Sequence, residues 1–302
     1  TWAFYTILRA VSLTGKKPWE QILVNGMVLG EDGFKMSKSR GNVTVPEEIL
    51  EQYGADSLRQ WAALGAATGS DIQFNWNDVV AANRFLTKMW NISRFALMQL
   101  DRAPYREDAP VTALADRWLL TKLSQTVREV SESLETYQFD KALKAIREFA
   151  WDVLADNYIE IVKGRLYSDS PDRDGACVAI RTSMDAVCRM LAPFTPYFAE
   201  EVWSYFNESS VHQQPWVTFS YEDEEALRSG EILVQVISEI RRYKHDKGLA
   251  LNAPIGKATV YTTVHINDAG DAGTASNCTL TWKTGMPELT QVVSGVKFDM
   301  GI

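Results

Sequence analysis

The chain has 302 residues, 46% hydrophobic and 23% charged, with a formal net charge of −8, the balance of an ordinary soluble globular protein. That length leaves room for about two or three domains, each able to bury its own core. No apolar run approaches the ~20 residues of a membrane span. The acidic balance excludes diffuse affinity for nucleic acid, so an RNA would have to meet cations gathered on one face.

The chain begins at Thr1, inside the apolar segment Trp2-Ala3-Phe4-Tyr5. An excised fragment is expected to start this way, and the opening residues show neither a basic amphipathic leader nor a cleavable signal. Residues 1–18 predict a helix stopped at Gly15-Lys16-Lys17-Pro18. Ile22 to Leu29 predicts a strand, and Glu31-Asp32-Gly33 has turn chemistry. The segment Gly33-Phe34-Lys35-Met36-Ser37-Lys38-Ser39-Arg40-Gly41-Asn42 then gathers three cations, two hydroxyls, an amide and two glycines. Glycines let such a loop move and approach a ligand closely. Lysine charges and hydroxyl hydrogen bonds suit an anionic, phosphate-bearing ligand. Composition alone equally describes a solvated basic turn.

Pro46 suits the first turn of a helix that Gly54 closes, with Thr44 as its cap or none. A second short helix is expected over 56–64, and irregular chain from Thr68 to Phe74. Asn77-Asp78 can cap a long helix carrying Val79, Ala82, Leu86, Met89 and Ala96 at helical spacing. Asp101 to Ala113 reads as a loop. Asp116 is placed to cap a helix with the stripe Leu120, Leu123, Val127, Val130, Leu134. Further helices are expected over Phe139–Lys163, stopped by Gly164, and over Gly175–Leu191, broken at Pro193. A short helix opens at Thr195-Pro196. Trp203 to Tyr221 is aromatic and irregular, expected to lie back on the helices. Another helix runs from Glu222 to Lys247. Consecutive amphipathic helices with short links make a bundle. After Gly248 come β-prone runs, 257–262 and 278–282, with Pro287 to Val293 as a small helix between strands; 249–302 reads as a small α/β appendage.

The three cysteines, Cys177, Cys188 and Cys278, form no CxxC pair, and the three histidines, His212, His245 and His265, are scattered. No metal site or disulfide framework is expected, and a reducing cytoplasm fits.

The string Lys35-Met36-Ser37-Lys38-Ser39, followed by Gly41-Asn42, resembles the second signature of the class I aminoacyl-tRNA synthetases. Pro46-Glu47-Glu48-Ile49-Leu50 and Tyr53-Gly54-Ala55-Asp56-Ser57-Leu58-Arg59 follow in the order of the valine, isoleucine and leucine branch. Gly69-Ser70-Asp71-Ile72-Gln73-Phe74 and the run from Asn83 to Phe95 look most like the valyl-tRNA synthetases. Asp156-Asn157-Tyr158-Ile159-Glu160-Ile161-Val162-Lys163 and Leu191-Ala192-Pro193-Phe194-Thr195-Pro196-Tyr197 are similar to the branch's anticodon-binding domain. The resemblance runs through residues 1–255 and fades afterwards.

The resemblance implies a mainly α chain. Residues 1–44 would end a Rossmann-type catalytic domain and 45–75 would be a linker along the tRNA stem. Residues 76–221 would form the helical-bundle anticodon-binding domain, and 222–302 a C-terminal helix with the small α/β appendage. It implies ATP-dependent ligation of valine to tRNA(Val) by a cytoplasmic monomer, with Mg2+ accompanying ATP. The first catalytic signature and the editing domain are not in this sequence. Lys35, Met36, Ser37, Lys38 and Ser39 would bind ATP, with Lys38 the main phosphate contact and Lys35 the second catalytic cation. An isoleucine or leucine enzyme, or a free-standing tRNA-binding module, remains the alternative.

For tRNA, Arg84, Lys88, Asn91 and Phe95 share one helix face that Arg94 borders. A ring for stacking, an amide for a base edge and cations for phosphates suit a splayed-out base. A core-packed Phe95 in a solvated stripe fits the same spacing. Lys141, Lys144 and Arg147 form a second basic stripe, and the residues around Lys244 a third. Part of that third cluster complements the end of its own helix.

Overall fold

The computed structural model describes residues 2–65, 67–262, 266, 269–284 and 297–301, the last five by their backbone. The mainly α expectation holds. In chain order the elements are α1 (Trp2–Thr14), β1 (Val28–Leu29), α2 (Pro46–Gly65), β2 (Ile72–Gln73), α3 (Trp76–Asp101), α4 (Leu114–Glu135) and α5 (Phe139–Glu148). A π-helical stretch (Phe149–Tyr158) continues α5 into α6 (Ile159–Tyr167), followed by α7 (Arg173–Leu191), α8 (Pro196–Ser204), a single 3-10 turn (Val211–Gln213) and α9 (Glu224–Asp246). The chain closes with β3 (Ile255–Thr262), α10 (Gly270–Ser276), β4 (Cys278–Thr284) and β5 (Lys297–Gly301).

The bundle forms because the apolar stripes found by helical spacing all point inward. Leu120, Leu123, Val127 and Val130 of α4 are buried against Leu143 and Ile146 of α5, Leu154 and Ile159 beyond it, and Ile180 and Val187 of α7. From α3, Phe85, Met89 and Ala96 join the same core. A smaller cluster of Ile49, Trp61, Phe74 and Val79 joins α2 to the start of α3, with Met36 packed against it. α2 is broken at Gly54 (φ 75°), as the sequence predicts.

Several local expectations need correction. The strand expected over Ile22–Leu29 is limited to Val28–Leu29, which pairs in parallel with Ile72–Gln73. A strand needs a ladder partner, and Ile22, Leu23 and Val24 are exposed instead. The irregular stretch 68–74 supplies that partner as β2. Asn75, not Asn77 or Asp78, caps α3: its side chain accepts the Asn77 N–H at 2.9 Å. Asp116 lies inside the first turn of α4, fully buried, rather than at a cap. Both its carboxylate oxygens accept from Arg165, at 2.6 and 2.9 Å, and the Tyr158 hydroxyl donates to it at 2.7 Å.

Gly164 does not stop its helix, which runs on to Tyr167. The glycine has another role: a Cβ there would lie 2.5 Å from the Thr274 side chain, so a larger residue would force that side chain of α10 to shift. The appendage is a three-stranded sheet in the order β4-β3-β5, β3 and β4 parallel and β5 antiparallel. α10 is the crossover helix of the parallel pair. The helix expected over 287–293 lies outside the described residues.

Candidate functional site

The Lys-Met-Ser-Lys-Ser loop leaves β1 through a tight turn. Gly30 N–H donates to Phe34 O at 2.8 Å and Gly33 N–H to Gly30 O at 2.9 Å. Gly33 and Gly41, at φ 74° and 69°, bracket the loop in the left-handed region that disfavours other residues. Asn42, next after Gly41, is the hub. Its Oδ1 accepts the Ser37 N–H at 2.9 Å, and its amide donates to the Asp32 carboxylate at 3.0 Å. Asp32 also accepts the Phe34 N–H at 3.1 Å. The Asn42 amide, then the Phe34 N–H and the charge of Arg40, hold the exposed Asp32 carboxyl below its ordinary pKa.

Ser37 accepts the Arg40 N–H at its carbonyl (3.1 Å) and lies 3.3 Å from the Ser39 hydroxyl. The Arg40 guanidinium sits 4.5 Å from the centre of the Phe34 ring. Met36 points inward, onto the cluster of Ile49, Trp61 and Phe74, whereas Lys35, Lys38 and Ser39 are exposed. One residue of the string is therefore an anchor, and the two ammonium groups are presented to solvent. Sequence reasoning missed Asn42 and Asp32; an Asp-Gly turn followed, past two lysines, by Gly-Asn was the available signal.

The proposed RNA face on α3 is mixed. Arg84, Asn91 and Arg94 are exposed. Lys88 is engaged: its ammonium lies 2.7 Å from Asp156 Oδ1 and 3.7 Å from the centre of the Trp151 ring. Phe95 is half-buried, packed on the main core and edge-on to Tyr167.

On the second stripe Lys141 is exposed and Lys144 pairs with Asp140 at 3.2 Å, while Arg147 turns inward over the Phe85 ring at 4.9 Å. The third cluster changes character. Lys244 is 1% exposed, and its ammonium donates to the carbonyls of Leu251 and Ser276, each at 2.7 Å. It tethers the end of α9 to α10 and is no surface cation. Arg241 donates to Asp156 O at 3.1 Å, and Arg242 pairs with Glu239.

Among the described residues no group of three or more His, Cys, Asp or Glu side chains could hold a metal ion, and no helix is long and apolar enough to cross a membrane. The three cysteines are buried, and burial raises their thiol pKa values, that of Cys188 to about 12.

The loop segment and the bundle each match a known protein family. Residues 1–75 match the family described as tRNA synthetases class I (I, L, M and V). Residues 116–261 match the Anticodon-binding domain of tRNA ligase. The chain belongs to the class I tRNA synthetases.

Its relatives are valine–tRNA ligases. That of Archaeoglobus fulgidus is 50% identical over 301 residues, which is 98% of this chain and 35% of the relative. That of Methanosarcina acetivorans is 49% identical over 310 residues, covering 100% of this chain and 35% of the relative. The chain thus spans about a third of the length of these relatives. Among solved structures, a LeuRS-tRNA-LeuAMS ternary complex from Agrobacterium radiobacter matches at TM-score 0.59 and 24% identity, over 74% of this chain and 27% of that one. A methionyl-tRNA synthetase from Mycobacterium tuberculosis, in complex with methionyl-adenylate, matches at 0.55 and 23%, over 65% and 40%. Both share the fold.

Proposed function

We propose that the chain is part of a valine–tRNA ligase, a cytoplasmic monomer that joins valine to tRNA(Val) at the expense of ATP. Residues 1–44 supply the end of the catalytic domain, 45–75 the stem linker, 76–221 the anticodon-binding bundle and 222–302 the helix with its appendage. The observation that carries this reading is the disposition of the loop: Met36 anchored in the linker cluster, Lys35 and Lys38 presented outward, within a chain half identical to valine–tRNA ligases.

In the activation step a valine carboxylate oxygen attacks the α-phosphorus of ATP. The bond to the β,γ-bridged leaving group breaks, and its electron pair departs with pyrophosphate. Negative charge grows on the α-phosphate and pyrophosphate oxygens as this happens. Ammonium groups that close on those oxygens at the transition state lower the barrier. Lys38 is assigned the main contact and Lys35 the second, with Ser37 and Ser39 orienting the loop or bonding phosphate oxygens. Magnesium enters with ATP as part of the substrate. Asp32, the carboxylate bound within the loop turn, is committed to Asn42 and Phe34. On the bundle, Arg84, Asn91 and Arg94 take RNA directly, while Lys88 and Phe95 line the same face.

The test is pyrophosphate exchange by the full-length enzyme. Valine is expected to support exchange well above isoleucine or leucine. Lys38→Ala is expected to slow adenylate formation by on the order of 10²–10³, the usual cost of removing one preorganised group. A variant within threefold of the parent would remove the Lys38 assignment.

A further inference from the structure

Arg147, Arg181 and Arg189 of the bundle each carry a buried side-chain nitrogen without a hydrogen-bond partner among the described residues, but Arg181 and Arg189 are each ion-paired with Asp185. Arg147 lies on α5, turned into a notch between α5 and α3, and the buried nitrogen is its Nη1. Its guanidinium rests on the face of Phe85 at 4.9 Å. Phe85 in turn stacks on Trp151, centroids 6.3 Å apart and planes 17° apart, and Lys88 covers Trp151. A buried guanidinium N–H without an acceptor is costly, and an ordered water or a bound anion are among the ways such a group is completed.

The space for it is present. On one side of Arg147 a cavity of about 340 Å³ is bounded by Arg84, Phe85 and Trp151. On the other, a cavity of about 360 Å³ lies against Trp61, Ile72 and Lys144. Carboxylates are near as well: Glu148 and Asp152 border the first cavity and Asp78 the second. Lys144 is already paired with Asp140. The notch is therefore not a general sink for anions. It has one unfulfilled planar donor, flanked by the exposed Arg84.

We infer that Arg147, with Arg84 beside it, takes a single phosphodiester of the bound tRNA in the notch between α3 and α5. This rests on the proposed tRNA binding by the bundle and adds to it a buried phosphate contact. A guanidinium offers a planar fork that matches two phosphate oxygens. The Phe85–Trp151 stack beneath holds that fork in place before RNA arrives. A phosphate contact positions RNA without reading sequence.

The test uses filter binding of tRNA(Val) transcripts to this chain across a salt series, with thermal unfolding in parallel. Arg147→Met keeps the volume and removes the charge. Its Tm is expected to fall by no more than the loss of one cation–π contact with Phe85, because no hydrogen-bond partner is lost. Its affinity is expected to fall about 5–10-fold, equally for matched and anticodon-swapped transcripts, with the salt slope shallower by about one. Affinity within twofold of the parent overturns the site while leaving tRNA binding intact. Failure of the parent chain to bind any transcript overturns both. A loss confined to the matched anticodon overturns the phosphate assignment. If the methionine variant loses more Tm than that one contact accounts for, Arg147→Lys, which keeps the charge but not the fork, decides. An affinity between those of the parent and the methionine variant supports the contact, and losses of affinity and of Tm both equal to those of methionine assign Arg147 a structural role. Inorganic phosphate that raises the Tm of the parent alone, with equal tRNA affinity in the two proteins, assigns the notch to free anions and overturns the RNA contact.

Discussion

Asn42 accepts at one atom from the loop and donates at another to the turn before it. That makes it a cross-brace: Ser37 N–H is held at 2.9 Å and Asp32 at 3.0 Å, with Gly41 just before it in the left-handed region. One such hydrogen bond contributes about 1 kcal/mol. Asn42→Ala should therefore raise amide exchange at Ser37 by about 5–10-fold while the bundle amides stay protected. Unchanged exchange at Ser37 would show that the brace does not hold the loop. The acid response has a definite sign. Because the Asp32 carboxyl is held below its ordinary value, its contribution is present above that value and lost as pH falls through the lowered one. The lysines of this loop were legible in the sequence because the Lys-Met-Ser-Lys-Ser string is contiguous. The brace was not, because its two halves stand ten positions apart across a turn.

At the scale of elements, α2 has two working sides. One carries the cluster on which Met36 sits. The other reaches the turn between α7 and α8 through two residues one helical turn apart. Arg59 donates to Pro193 O at 2.7 Å and to Phe194 O at 3.1 Å, taking up carbonyls past the end of α7. Asp56 accepts the Phe198 N–H at 2.7 Å, capping α8 from outside, since the Thr195 hydroxyl turns back to Leu191 O. The second oxygen of Asp56 is buried without a partner, and burial raises its pKa despite the Phe198 N–H. A raised folded pKa means that the charged form opposes folding: the benefit is complete below the ordinary 3.8 and lost as pH rises through the raised value. Asp56→Asn keeps an acceptor and sheds the charge. Urea unfolding is expected to find the variant as stable as the parent, or up to about 1 kcal/mol more stable, at pH 7. The gap should close as pH falls toward 3.8; a variant destabilised at every pH would show that the charge itself is needed by α8. Helical spacing made α3 and α4 legible, and the proline and glycine signals made α2 and α7 legible, because both kinds of signal are local. The role of Asp116 was misread for the same reason. A carboxylate near a helix start looks like a cap until its partner, 49 positions away, folds back to it.

For the whole molecule, the question is whether bundle and appendage are one body. Arg165 gives the physical answer. Burial works against its charge, but two hydrogen bonds and the charge of Asp116, then Tyr158 and Asp271, raise its pKa above the ordinary guanidinium value. It forks onto Asp116 of α4 and reaches Asp271 of α10 at 3.0 Å, so one side chain joins bundle core and crossover helix. Lys244 makes the second tie, from α9 to the carbonyls of Leu251 and Ser276, and the bare Cα of Gly164 admits Thr274 between them. The sequence pattern showed Lys244 as one of several helix-end cations. Only the fold supplies the two carbonyls that let an ammonium be buried. Arg165→Met would leave Asp116 fully buried with the Tyr158 hydroxyl as its remaining donor among these groups. Breaking a buried pair from one side costs about 3–5 kcal/mol. If the two parts unfold as one, hydrogen exchange should show the amides of α4 and of β3 losing protection together and by the same amount. Loss restricted to β3 and β4 would mean that the sheet opens by itself and that Arg165 is a local fastener. We expect the joint loss, because the carboxylate left unpaired by the substitution is buried on α4, in the middle of the bundle, and not on the sheet.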